Sequence, residues 1–308
     1  MNDPIQPGTT HSRSKESKES RAYIVLLLGV LGMGFSGIFV SLAGAPGAVA
    51  GVYRTGIACI VLAIPFVLNF QHRPWPLPRE VAIAMLAGAF FAADLFFWNT
   101  GILISGATNP TLMGNTAPIW VGLGSVIFFH ERPNRPFWVG LFIALAGAAV
   151  ILGADVLNNI GLGTFFGLLS GMFYGGYFLV LQRSRQNLDT LSSFWLSSLS
   201  SAVCLIIMAR ILNQPLTGYS QQTYLSLVGL ALIVQVGGQM TANFALGYLP
   251  ASVVAPILLL QPVLTGLLAV PLLGETLTVV QIFGGAIVLA GIYLVHRSRL
   301  VPKPLSAA

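Results

Sequence analysis

The sequence predicts an all-α integral membrane protein whose ten transmembrane helices form two inverted five-helix repeats. Three observations carry that expectation: a composition suited to lipid, a long internal repeat, and a one-sided distribution of basic residues. Of 308 residues, 55% are hydrophobic and 8% charged, where a soluble domain carries about a quarter charged residues. A mean hydropathy of +0.82 points the same way. One helical crossing needs roughly twenty apolar residues, so a chain of this length has room for about ten with short loops.

The repeat is read by sliding the chain along itself. At an offset of 144 residues, Asn99–Gly147 falls on Asn243–Gly291 without a gap. Asn99 meets Asn243, Pro118 meets Pro262, Gly122 meets Gly266, Glu131 meets Glu275 and Gly140 meets Gly284. About a dozen of roughly fifty positions are identical, and most others exchange one apolar residue for another. A fixed-offset repeat is an architectural signature. This period is too long for a solenoid and reads as two halves of one membrane protein.

Residues 1–21 are rich in Ser, Lys and Glu, hold Pro4, Pro7 and Gly8, and are expected to be a disordered cytoplasmic tail. The first repeat covers 22–153, with spans at about 22–42, 47–69, 80–104, 107–129 and 136–153. The second covers 161–296, with spans at about 161–181, 190–211, 222–247, 250–273 and 277–296, followed by a tail at 297–308. Ala43-Gly44-Ala45 resembles a signal-peptidase site. The apolar run before it approaches twenty residues, longer than the usual 7–15 of a signal peptide, so a retained helix is expected. Joints such as His72-Arg73-Pro74-Trp75-Pro76 and Asn213-Gln214-Pro215 carry turn chemistry. Span 7 is diluted by Ser192, Ser193, Ser197, Ser198, Ser200 and Ser201, which suggests a face turned to other helices or to a wet cavity.

With the N-terminus inside, thirteen of the fifteen Lys and Arg residues fall in cytoplasmic segments. The exceptions are Arg210, at an outer loop, and Arg54, inside a span. So lopsided a count fixes the orientation by the positive-inside rule and favours an even number of spans. A plasma or inner membrane protein with both termini cytoplasmic is expected. Five spans per half then start the second half from the opposite side, which makes the repeat inverted. The net charge of +6 follows from loops and tails rather than from a nucleic-acid surface.

Arg54 and Asp94 are the ionisable side chains well inside spans. A charge at midplane costs at least ~2.5 kcal/mol, so such residues face the bundle interior and mark functional sites by default. At a rise of about 1.5 Å per residue, Arg54 lies roughly 10 Å and Asp94 roughly 15 Å below the outer ends of their helices. A long Arg side chain spans that difference, and the expectation is a charge pair in a cavity that a zwitterionic solute splits, with a purely structural pair as the alternative. Asn115 in span 4, Gln239 and Asn243 in span 8 and Gln261 in span 9 are amides that would be costly against lipid, and they join the candidate site. Gln235, Gln239 and Asn243 follow at steps of four, one helical stripe. Trp98 and Tyr174, with Phe91, Trp120 and Tyr177, are candidate aromatic walls. Pro118 and Pro262 each remove a backbone hydrogen bond in mid-span and are candidate hinges.

The two copies of Pro-x12-Glu, Pro118 to Glu131 and Pro262 to Glu275, are each followed by a Gly-rich helix. With Gly32-Met33-Gly34-Phe35 echoed by Gly171-Met172-Phe173-Tyr174, and Arg54 in span 2, they resemble the EamA-type transporters of the drug/metabolite transporter superfamily over nearly the whole chain. Many members carry Trp where Phe35 and Tyr174 stand; the aromatic type is kept. The resemblance implies a secondary transporter of small organic solutes working by alternating access through a central cavity. One Arg and one Asp argue against polyanionic cargo and leave amino acids, neutral metabolites or amphipathic drugs, with efflux the expected direction. A passive facilitator or channel for the same solutes is the alternative. No catalytic cluster is present: the sequence has no HExxH, and His11, His72, His130 and His296 fall in tails or at span edges. An enzyme, a cofactor and a metal are therefore not expected. The expected partners are a small-molecule substrate and membrane lipid, with no nucleic acid and a monomer as the unit.

Overall fold

The computed structural model describes residues 8–69, 75–106, 108–131, 133–152, 161–273 and 278–298, with side chains from Ser17 onward and up to Leu268 in the ninth span. Glu275, the His72-Arg73-Pro74 joint, residues 1–7 and residues 299–308 lie outside the described residues. Ten helices among the described residues are long and apolar enough to cross a membrane. Spans 1–5 are Ser17–Ala43, Gly47–Asn69, Pro78–Ser105, Thr108–Phe129 and Arg135–Leu152. Spans 6–10 are Leu162–Ser184, Thr190–Ile211, Gln221–Ala245, Ala251–Leu268 and Val279–Arg297. The helix of span 1 begins at Gly8, so residues 8–21 are helical rather than the disordered tail expected. Between Gly8 and Gly29 there is no Gly or Pro, and a span already nucleated propagates through Ser, Lys and Glu at little cost.

The repeat is inverted, and spans 5 and 10 show it directly. A Cβ built on Gly140 would stand 2.8 Å from the Gly291 carbonyl oxygen, and one on Gly147 would stand 2.7 Å from that of Gly284. Gly284 and Gly291 are the repeat equivalents of Gly140 and Gly147. The start of each helix therefore meets the end of its counterpart, an antiparallel and self-complementary contact of the kind a two-fold axis produces. Backbones this close are what small residues permit between helices in lipid.

Two asparagines repeat the symmetry at the membrane edges. Asn99, near the end of span 3, donates from Nδ2 to the Gly47 carbonyl at the start of span 2, at 3.0 Å. Asn243, near the end of span 8, donates to the Thr190 carbonyl at the start of span 7, at 3.2 Å. Span 2 packs on span 7, span 3 on span 6, and span 1 on span 8. The serine face of span 7 is buried: Ser201 Oγ donates to the Gly88 carbonyl at 2.6 Å and Ser200 Oγ to that of Met85 at 2.7 Å. The outward surface is apolar, with Ile60, Ile64, Phe128, Phe142, Val279 and Phe283 exposed where lipid lies. Tyr23 and His296 meet edge to face at 5.2 Å, so the start of span 1 and the end of span 10 share one membrane end.

Four spans are irregular. Span 1 turns at Gly34–Phe35 between helices Gly8–Met33 and Ser36–Ala43. Span 4 turns at Asn115–Thr116, and Pro118 sits in the first turn of the resumed helix Ala117–Phe129. Span 9 tightens to a 3-10 turn at Leu258–Leu260, and Pro262 opens the helix that follows, Gln261–Leu273. Span 8 widens to a π-helix over Leu230–Gln239. Carbonyls freed by such breaks must be satisfied within the protein. Thr265 Oγ1 donates to the Gly34 carbonyl at 2.7 Å and Thr116 Oγ1 to that of Met113 at 2.6 Å.

Candidate functional site

The irregular segments converge on one chamber at mid-depth between the halves. Its cavity volume is about 80 Å³. Met33 and Ser36 flank the turn in span 1, Gly114 to Pro118 bracket the turn in span 4, and Leu258, Leu259 and Gln261 mark the tightened turn in span 9. Val234 and Gln239 enter from the π-helix of span 8. Departures from regular helix are tolerated at membrane depth where they line a cavity, and π-turns recur at functional sites. The regular helices supply Arg54 from span 2, Asp94 and Trp98 from span 3, and Ser170 and Tyr174 from span 6.

Of the eight candidate binding residues, Arg54, Asp94, Trp98, Asn115, Tyr174, Gln239 and Gln261 line this chamber, as does Pro118. Asn243 does not: its amide is committed to Thr190, and its backbone carbonyl accepts from Arg185 Nε at 3.1 Å. The helical stripe of Gln235, Gln239 and Asn243 is likewise corrected. Gln235 bonds Arg54 and Gln239 bonds Tyr174, while Asn243 bonds Thr190 at the start of span 7.

The expected Arg54–Asp94 ion pair is not formed. Arg54 Nε donates to Gln235 Oε1 at 2.8 Å, Nη1 reaches Ser36 Oγ at 3.4 Å, and the guanidinium lies 5.4 Å from the centre of the Phe91 ring. Asp94 Oδ1 accepts from Ser170 Oγ at 2.6 Å. Depth along two helices set the expectation, and depth says nothing about which neighbour a side chain turns to. Both charges stay in the chamber, Arg54 5% and Asp94 7% exposed. An Arg and an Asp side chain that are not bonded to each other can each meet a solute group.

The walls are aromatic. Phe91 stacks on Tyr177 at 4.6 Å, and Tyr174 meets Phe178 edge to face at 4.7 Å. Phe91, Trp98, Tyr174 and Phe178 line the chamber, whereas Tyr177 stands behind Phe91, and Trp120 Nε1 is bound to Thr116 Oγ1 at 3.3 Å. Two amide nitrogens on the lining residues, Asn115 Nδ2 and Gln239 Nε2, are buried with no hydrogen-bond acceptor. Such donors are costly to leave unmet. Ser36, Ser170 and Phe178 belong to the lining and were not singled out from sequence; a Ser inside an apolar span is too common to stand out.

Ten spans, inverted halves and a charged chamber between them define a membrane transporter. The chain belongs to the EamA-like transporter family, of the drug/metabolite transporter superfamily: the family pattern matches twice, over residues 20–153 and 161–297. A protein of Synechocystis sp. described as an uncharacterized transporter is 28% identical over 193 residues, 61% of this chain and 58% of that protein. A Salmonella typhimurium protein described as a probable amino-acid metabolite efflux pump is 30% identical over 190 residues, 56% of this chain and 62% of that protein. The matches therefore span about three-fifths of both relatives. A crystal structure superimposes with a TM-score of 0.75, covering 92% of this chain and 100% of that one at 17% identity, which establishes likeness of fold.

Proposed function

We propose that the protein is a secondary active carrier that exports small zwitterionic or neutral solutes of the amino-acid class by alternating access. The observation that carries the reading is the chamber itself, with one cation and one anion unpaired with each other and walled by aromatic rings. Asp94 is placed to take an ammonium group and Arg54 a carboxylate. The Salmonella relative described as an amino-acid metabolite efflux pump supports the same class of cargo. Pro118 and Pro262, each opening a helix at the matching break of its half, serve as the paired hinges. The working unit is a monomer in the inner membrane, with both termini cytoplasmic as the basic residues indicate.

The test is counterflow in proteoliposomes. Vesicles preloaded with an unlabelled neutral amino acid should accumulate the labelled form above equilibrium and saturate with its concentration. Linear flux without trans-stimulation, or conductance steps in a planar bilayer, would establish a passive pore instead.

A further inference from the structure

We propose that Gln235 and Phe91 are positioning residues that hold Arg54 as an unneutralised cation, so that the group it takes is the carboxylate of the solute. The inference rests on the chamber being the solute site proposed above.

A guanidinium at membrane depth has to be stabilised, and the least costly partner is a carboxylate. Asp94 lines the same chamber, yet the chain surrounds Arg54 with neutral groups. Gln235 Oε1 takes Nε at 2.8 Å, Ser36 Oγ stands 3.4 Å from Nη1, and the Phe91 face lies 5.4 Å below the charge. Gln235 is held from its other side, its Nε2 reaching Ser198 Oγ at 3.5 Å, which leaves Oε1 as the atom turned to Arg54. An amide oxygen and an aromatic face fix a guanidinium in place without cancelling its charge. Of the five N–H donors of an arginine, the two hydrogen bonds engage one on Nε and one on Nη1. The donors left on Nη1 and Nη2 form the fork that takes a carboxylate at two points.

Phe91 belongs to span 3 of the first half and Gln235 to span 8 of the second. One comes from each half, and Arg54 sits where they meet. Gln235 and Gln239 both lie in the π-helix Leu230–Gln239, and they bond Arg54 and Tyr174 respectively.

The discriminating variant is Gln235→Glu. It keeps the hydrogen bond to Arg54 and makes it charge-assisted, so a bond that only ties spans 2 and 8 together survives. A bond that presents a free cation does not, because the new carboxylate quenches it. Initial rates are measured in proteoliposomes with L-alanine, L-leucine and L-phenylalanine, each beside its carboxamide, which keeps the ammonium and lacks the carboxylate. For the amino acids, KM should rise about 10- to 100-fold with Vmax within about twofold, the loss expected for a charge-assisted contact. The carboxamides should keep their KM. Phe91→Leu should raise the amino-acid KM about threefold through loss of the cation–π contact, and it decides the matter if Gln235→Glu fails to fold. Amino-acid KM values unchanged in both Gln235→Glu and Phe91→Leu overturn the inference. Failure of Arg54→Gln to alter transport, or no transport of any amino acid by the native chain, overturns the chamber reading on which it stands; loss in Arg54→Gln with native KM in the two positioning variants overturns the positioning role alone.

Discussion

Arg54→Gln should reduce amino-acid transport about 100-fold, the value of a two-point charge-assisted contact in a water-poor site, while the protein stays at its native level in the membrane. The two halves of that expectation come from different neighbours. The fold loses little, because the native partners of Arg54 are a Gln side chain, a Ser hydroxyl and a ring face, none of which is a charge left stranded. A glutamine in its place still meets Gln235, so thermal stability should fall by no more than about 1 kcal/mol. The chamber loses its cation and keeps Asp94. Relative preference should then move toward amines that lack a carboxylate, measurable as competition of amino-acid carboxamides against the parent amino acids. Arg54→Lys should restore little, since an ammonium offers no planar fork. A purely structural role predicts the reverse pattern, with reduced membrane levels and native rates in the protein that remains.

Gly291→Val should abolish the folded protein. The native Gly291 already lies so close to span 5 that a Cβ would stand 2.4 Å from the Ala144 backbone nitrogen and 2.6 Å from the Gly140 carbonyl oxygen. Neither atom can move without moving its helix. Overpacking of a well-fitted contact costs about 1–3 kcal/mol even where side chains relax, and here the obstacle is backbone. The crossing is the self-complementary contact of spans 5 and 10, so its loss separates equivalent helices of the two halves. Size-exclusion profiles of the detergent-extracted protein should show the monodisperse peak replaced by aggregate. Gly37→Ala is the matched control, because a Cβ there meets nothing within 4 Å, and its profile should be native.

Much of the architecture was legible because lipid imposes simple rules. Ten apolar runs, a 144-residue repeat and basic loops are enough to set the number of spans and the inversion. Arg54 and Asp94 were found for the same reason: a charge inside an apolar run has few innocent explanations. The partner of Arg54 was not found. Gln235 lies 181 residues away, in the other half, and the sequence distance carries no sign of which side chain it meets. Asn243 lies outside the chamber lining, and like its repeat equivalent Asn99 it ties the end of one helix to the start of another. The break in span 1 falls at Gly34–Phe35, whereas its counterpart span 6 runs unbroken from Leu162 to Ser184, an asymmetry no repeat alignment can reveal.

Sided labelling of the chamber tests the whole account most directly. Thr111 lines the chamber from span 4 and carries no proposed contact to the solute. With Cys59 and Cys204 replaced by Ala and Ser, Thr111→Cys is exposed to a membrane-impermeant thiol reagent from one face of sealed vesicles at a time. Thr111→Cys should react from a single face at rest, and the reaction should shift toward the other face when a transported amino acid is supplied in excess on one side. Equal reaction from both faces, unchanged by solute, would mean a continuous pore and would contradict a chamber that opens to one side at a time.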